Sequence, residues 1–196
     1  NATLTTGDSL TGGSGTDVLR YTATGAAAVT ENGFTTSSVE TLKIQSDATG
    51  GTTFTATGSA DVSKVINTLS TTDVTVDGLK ALTTVELTDV QAGDTQIKFN
   101  DDLLTGSADA VTLNLNGNVT TAGGSIGTIT LGNTSGTGVE TVNANSSGAA
   151  SEITTIAGGF TTLNVTGDKD LTISSALAGV TTIGASLFTG NLSVVV

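Results

Sequence analysis

The chain has no cysteine, no histidine and no proline in 196 residues, and its aromatic content is only 3%. Without cysteine, a disulfide framework and a zinc–thiolate site are both excluded. Without histidine as well, Ser–His–Asp and Cys–His nucleophilic catalysis and His-ligated metal catalysis are excluded too. Proline would remove a ladder donor from the middle of a sheet, so its absence suits a chain made mostly of paired strands. A wide globular interior needs large side chains to fill it, and so few aromatics imply a narrow one. Basic residues are also scarce: six, against eighteen acidic, for a net charge of −12. Binding of nucleic acid or an anionic membrane through a basic patch is therefore not expected, whereas an acidic surface of this kind suits divalent cations. No apolar run approaches the roughly 20 residues that span a bilayer, so membrane insertion is not expected, and no segment has the make-up of a signal peptide. Asn1 already falls inside a repeat-like pattern, so the chain is expected to be a piece of a longer protein.

What is present points to strands. Charged residues make up 12% of the chain and β-branched residues are abundant, the opposite of a disordered composition. Thr, Val and Ile fit a pleated surface. A short apolar phrase recurs as VETLKI from Val39, VSKVIN from Val62, LTTVEL from Leu82, VETVNA from Val139, FTTLNV from Phe160 and VTTIGA from Val180. The successive starts at 62 and 82, and then at 139, 160 and 180, lie 20 or 21 residues apart, and the gap of 57 between Leu82 and Val139 is close to three such periods. A second set alternates strictly: DVTVDG (73–78), AVTLNLNG (110–117), SIGTITLGN (125–133), DLTISS (170–175) and NLSVVV (191–196). Period-two alternation puts Leu171 and Ile173 on one face and Thr172 and Ser174 on the other. Two short strands per repeat, joined by Gly/Asn/Asp turns, predict an all-β, parallel β-solenoid with rungs of roughly 20 residues and a flattened core filled without aromatics. An antiparallel sandwich with evenly spaced strands is the alternative, and self-similarity at a fixed period favours the solenoid.

Residues 12–20 read G-G-S-G-T-D-V-L-R, which fits the nonapeptide G-G-x-G-x-D-x-(aliphatic)-x of calcium-binding parallel β-rolls. Gly12, Gly13 and Gly15 would allow torsions that turn carbonyl oxygens toward one cation. Asp17 would supply a carboxylate to a Ca²⁺ that prefers six to eight hard oxygens. Residues 3–11 form an eroded copy, with Asp8 at the aspartate position and Leu10 at the aliphatic one. Glycine-rich turns also arise for purely structural reasons. Leu10 and Leu19 should point into the core. The division expected is an N-terminal nonapeptide segment, 1–20, continuous with a threonine-rich solenoid, 21–196.

The tandem DSLTGGSGTDVL, followed by threonine-rich text and by SVETLKI, GVETVNA and GFTTLNV, resembles RTX-type S-layer proteins of Gram-negative bacteria. That resemblance implies a β-solenoid exported by a type I system and folding outside the cell on meeting Ca²⁺. It also implies extracellular assembly with copies of itself into a surface lattice, anchored to cell-surface polysaccharide through a region outside this chain. A repeat module or stalk of an RTX-type adhesin is the alternative, and a carbohydrate- or ice-binding solenoid is a further one.

Other acidic positions invite either reading. Asp101 and Asp102, near Asn100 and Asp94, could join a calcium site at a lattice contact or form a solvated turn. Asp61 and Asp109, each in a GSAD phrase, and Asp168 and Asp170 fit turn-capping through backbone amides. Glu40 and Glu140 are expected to point outward, where Lys on a neighbouring rung could pair with them. Paired carboxylates could in principle cleave glycosides, but the aromatic platforms and basic residues of such sites are missing, and an enzyme is not expected.

Overall fold

A computed structural model describes residues 4–120 and 123–196; Asn1 and Thr3, with which the chain and its eroded repeat begin, lie outside the described residues. The chain winds into a parallel β-solenoid of about eight rungs. One sheet stacks Val18–Gly25, Thr41–Ala48, Lys64–Thr68, Thr84–Thr88, Ala110–Asn116, Thr141–Ser146, Thr162–Gly167 and Thr182–Phe188. The other stacks Val29–Glu31, Thr52–Thr55, Val74–Leu79, Thr95–Phe99, Ile126–Gly132, Ser151–Ala157, Leu171–Ala176 and Leu192–Val195. Every pairing is parallel, so each rung is held by backbone hydrogen bonds running along the rod axis at a spacing of about 4.8 Å. Among the described residues the only helix is the short 3₁₀ turn Asp101–Leu103, and none is long and apolar enough to cross a membrane.

Alternation along each strand decides the core. Leu42, Val65 and Val85 align in one inward column, and Val142, Leu163 and Ile183 continue the same scheme further along the rod. Leu171 and Ile173 are buried, whereas Thr172 and Ser174 face out, as alternation requires. Leu10 and Leu19 pack against the core from the first rung. The leading residues of most of the recurring phrases (Val39, Val62, Val139 and Phe160) are buried just ahead of a strand of the first sheet, where they plug the corner.

The rungs are less even than the sequence spacing suggests. Register offsets along the first sheet are 23, 23, 20, 28, 31, 21 and 20 residues, from Val18↔Thr41, Thr41↔Lys64, Lys64↔Thr84, Val85↔Leu113, Ala110↔Thr141, Thr141↔Thr162 and Thr162↔Thr182. The stretch between Leu82 and Val139 thus holds two enlarged rungs rather than three regular ones. Ala110–Asn116, grouped by its alternation with the second set, belongs to the first sheet. The extra length is carried in the corners, in the 3₁₀ turn with the residues after it and in the loop 133–138 that folds beside it.

The interior also differs from an aromatic-free slab. Near the N-terminal end a short third side closes the rungs, where Ser9–Thr11 pairs with Thr35–Ser37 and Thr36 bridges to Ser59. A three-sided rung encloses a wider space, and aromatic rings fill it. Phe34 and Phe54 meet edge to face at 4.7 Å, and Tyr21 meets Phe54 at 5.9 Å. Phe99 and Phe160 are buried further along. Tyr21 donates its hydroxyl to Glu31, a buried carboxylate that stacks in register on Phe54.

One corner between the two sheets is lined with buried polar groups that satisfy one another. The Ser46 hydroxyl lies 2.7 Å from both Thr52 Oγ1 and Thr72 Oγ1. Ser70 donates to Asn67 Oδ1 at 2.5 Å, and Asn67 Nδ2 donates to Thr95 Oγ1 at 2.8 Å. Asn118 continues the seam: its Nδ2 donates to Leu87 O at 2.9 Å, and its Oδ1 accepts the Val90 N–H at 3.2 Å. Fully paired polar groups of this kind are tolerated in a core, and unpaired ones are costly.

Candidate functional site

The glycine–aspartate motif forms the corner that leads from the third side into the first sheet. Ser9–Thr11 lies on the third side, residues 12–17 turn the corner, and Val18 opens the first-sheet strand. Gly13 and Gly15 hold φ of 101° and 115°, the left-handed region that glycine enters most readily. Gly12 is needed for a different reason. Its φ is not in that region, but a Cβ there would lie 1.8 Å from Ser38 O and 2.6 Å from Asp17 Cβ. Gly12 therefore lets the second rung and the Asp17 side chain close onto the turn.

Asp17 folds back over Gly12 instead of reaching outward. Its backbone N–H donates to Glu40 Oε2 of the next rung at 2.8 Å, and its Oδ2 is buried without a hydrogen-bond partner. The same station recurs at the head of Ala110–Asn116. There the Asp109 N–H donates to Glu140 Oε2 at 2.8 Å, Asp109 lies against Gly106, and its Oδ2 is also buried without a partner. A buried carboxylate oxygen without a donor is costly in a folded protein and calls for a missing partner such as water or an ion. Each station brings together one aspartate and one glutamate from stacked rungs.

Asp8 does not join Asp17. It precedes Ser9–Thr11 at the far end of that strand, where its Oδ2 accepts the Thr5 N–H at 2.8 Å and Thr5 Oγ1 at 3.1 Å. The two aspartates of the tandem motif thus sit at different corners of one rung. Asp101 and Asp102 are exposed in the first turn of the 3₁₀ segment, and Asp101 Oδ1 accepts only a long bond from Thr134 Oγ1 at 3.4 Å. Among the described residues no three carboxylates converge.

Four other corner acids act along the rod. Asp61 Oδ2 accepts the Ser38 N–H, Asp73 Oδ1 the Asp94 N–H, Asp94 Oδ1 the Thr128 N–H, and Asp170 Oδ1 the Asn191 N–H, all at 2.7–2.9 Å. Charge-assisted bonds of this type are roughly twice as strong as neutral ones. The Asn191 backbone N–H, with its side-chain amide, holds the Asp170 carboxyl below the usual range, and the Lys169 ammonium does the same for Asp168. Glu40 and Glu140 belong to this group. The expectation that they point outward is corrected: both reach back along the axis onto the preceding rung. Sequence reading missed them because a carboxylate and the amide it binds are 23 residues apart in one case and 31 in the other. The available signal was an aspartate just before a strand, followed one rung later by V-E-T.

No family model matches the chain, and no curated protein or solved structure matches it either.

Proposed function

We propose that the chain is a structural module of a secreted bacterial surface layer of the RTX type, built by self-assembly and dependent on calcium. The observation that carries this reading is the pair of equivalent corner stations, Asp17 with Glu40 and Asp109 with Glu140, each with a buried carboxylate oxygen that lacks a donor. These carboxylates suit a hard divalent cation, which would partner the orphaned oxygen and offset the repulsion between stacked acids. The chemistry required of the ion is charge neutralisation, and turn carbonyls and water would complete its oxygen shell. A rod of stacked rungs with flat outward faces suits a lattice unit, and the reading includes no catalytic step. It places the protein outside the cell, partnered with copies of itself and held to surface polysaccharide through a region beyond this chain.

The test is thermal denaturation across a Ca²⁺ titration, with electron microscopy of assembled material. Calcium should raise the melting temperature and support ordered sheets, and EGTA should reverse both. Asp17→Asn combined with Asp109→Asn should abolish the calcium response. Identical melting with and without Ca²⁺ would sink the calcium part, and the absence of ordered sheets would sink the lattice part.

One observation favours a second reading, a stalk or carbohydrate-binding solenoid. The outward face of the first sheet from Ala110 onward presents Thr112, Asn114, Asn143, Asn145, Asn164 and Thr166, with no charged residue on its strands. A glycan array read in parallel separates the two, since a lattice unit needs no soluble glycan.

A further inference from the structure

At the N-terminal end of the same sheet the surface has the opposite character. Arg20 and Lys43 are register partners on adjacent parallel strands, so two cations lie side by side about 4.8 Å apart at the backbone. Like charges directly opposed across strands weaken a sheet. The acids of this face do not relieve them. Further down the column Lys43 is followed by Ile66 and then Glu86, whose carboxylate is held by Lys64 at 2.7 Å. Asp47 accepts Gln45 Nε2 and Thr71 Oγ1, both at 2.8 Å. Among the described residues neither Arg20 nor Lys43 has a carboxylate partner.

The two cations line a shallow cradle with Thr22, Gln45, Thr68 and Leu69. Leu69 adds an apolar side chain. It is 44% exposed, on a left-handed corner (φ of 55°) that recurs one rung on at Asp89 (φ of 53°). An uncompensated cation pair beside an apolar side chain turned out to solvent disfavours the isolated fold, and such features mark contact surfaces.

We infer that this cradle docks a second copy of the chain, which presents its Asp101–Asp102 turn to Arg20 and Lys43; the inference rests on the self-assembly reading above. Charge complementarity selects the occupant. The chain is strongly acidic at −12, and six of its carboxylates, those of Glu40, Asp61, Asp73, Asp94, Glu140 and Asp170, are engaged with backbone amides of neighbouring rungs. Asp101 and Asp102 are adjacent, exposed and almost unengaged, and the half-buried Leu103 and Leu104 follow them. Cradle and turn are separate patches on different rungs, so one copy can offer its turn to a neighbour while its own cradle receives another's, and such a heterologous contact, where it does not close, repeats into an extended array. Elsewhere the like charge of the copies keeps them apart, which makes the contact specific and salt-sensitive.

Sedimentation velocity and light scattering on the whole chain test it, with circular dichroism to verify folding. All four side chains lie on the surface, and reversal of the cradle keeps a like-charged pair, so neither double variant should disturb the rungs. Arg20→Glu with Lys43→Glu should weaken self-association by about tenfold or more, and so should Asp101→Lys with Asp102→Lys. Combining all four should restore it to near the wild-type level. If the wild type assembles and either reversal leaves assembly unchanged, or the fourfold variant stays weak, the contact is wrong while the surface-layer reading stands. A wild type that remains monomeric at high concentration with Ca²⁺ removes both. Polygalacturonate serves as a soluble polyanion probe: if the cradle binds it and the reversals change only that binding, the second-copy occupant is overturned.

Discussion

Asn118 is the most informative single position for the packing of the rod. It is fully buried at the corner between the sheets and spans three rungs: it accepts from the Val90 N–H, donates to Leu87 O, and meets Ser151 Oγ at 3.2 Å through both its side-chain and backbone nitrogens. Asn118→Ala leaves the Val90 amide and the Leu87 carbonyl without this partner, in a gap too closed for bulk water to enter. At about 1–2 kcal/mol for each stranded group, the loss is about 2–4 kcal/mol. For a chain of this size that corresponds to a fall in melting temperature of about 5–15 °C. Asn114→Ala on the outer face is the control and should stay within about 0.5 kcal/mol of wild type. Asn118→Asp keeps the shape but puts a carboxylate against the Leu87 carbonyl at neutral pH. It should therefore be at least as damaging at pH 7 and should recover partly as acid returns a donor hydrogen. Urea unfolding followed by circular dichroism gives the differences, and amide exchange at Val90 gives the local readout. If Asn118→Ala melts with the wild type and Val90 stays protected, the paired seam does not hold the rungs as argued.

Three other outcomes follow from the geometry. Phe54→Ala empties the centre of the Phe34–Phe54–Tyr21 cluster and should cost about 3–5 kcal/mol in urea titration, whereas loss of less than 1 kcal/mol would mean that the wide N-terminal rungs collapse to fill the gap. Tyr21 is raised well above its ordinary 10.0, first by burial and then by its hydrogen bond to Glu31 and that carboxylate's charge. Its neutral form is therefore favoured on folding, and the stability it contributes is complete below pH 10 and lost as pH rises further. The single tyrosine makes ultraviolet titration unambiguous, and Glu31→Gln should move the transition down. The carboxyls of Asp168 and Asp170 are shifted the other way, so their contribution is present above the usual aspartate range and lost on acidification below it. Asp170→Ala should accelerate amide exchange at Asn191 and along Leu192–Val195, and unchanged exchange there would show that Asp170 does not hold the last rung.

Period-two alternation was enough to read the strands at Leu171 and Ile173, and the recurring phrases located most of the first-sheet strands. Alternation says that successive side chains face opposite ways, but it does not say which sheet a strand joins. Ala110–Asn116 was misplaced for that reason, since it alternates well and lacks the phrase that marks its neighbours. The enlarged rungs were hidden because corner loops carry no periodic signal. Aromatic rings were too few to announce a core, yet a short third side gathers several of them at one end. The motif at Gly12–Asp17 showed itself clearly, but its partner Glu40 did not. Solenoid neighbours are related by the length of a rung, and rungs of 20 to 31 residues keep no fixed offset in the sequence.

The parallel stacking has a mechanical consequence. All the ladders run along the rod, so tension between the two ends pulls in line with the ladder bonds and can peel strands one after another from the ends where the chain is held. Tension across the strands loads many ladders together. About eight rungs at about 4.8 Å give a rod roughly 35–40 Å long. One rung of about 23 residues, once peeled, lengthens by about 75–80 Å. A unit of this kind can give way at one end by more than its own folded length and keep its remaining rungs intact, acting as a shock absorber along one direction and a stiff plate along the other.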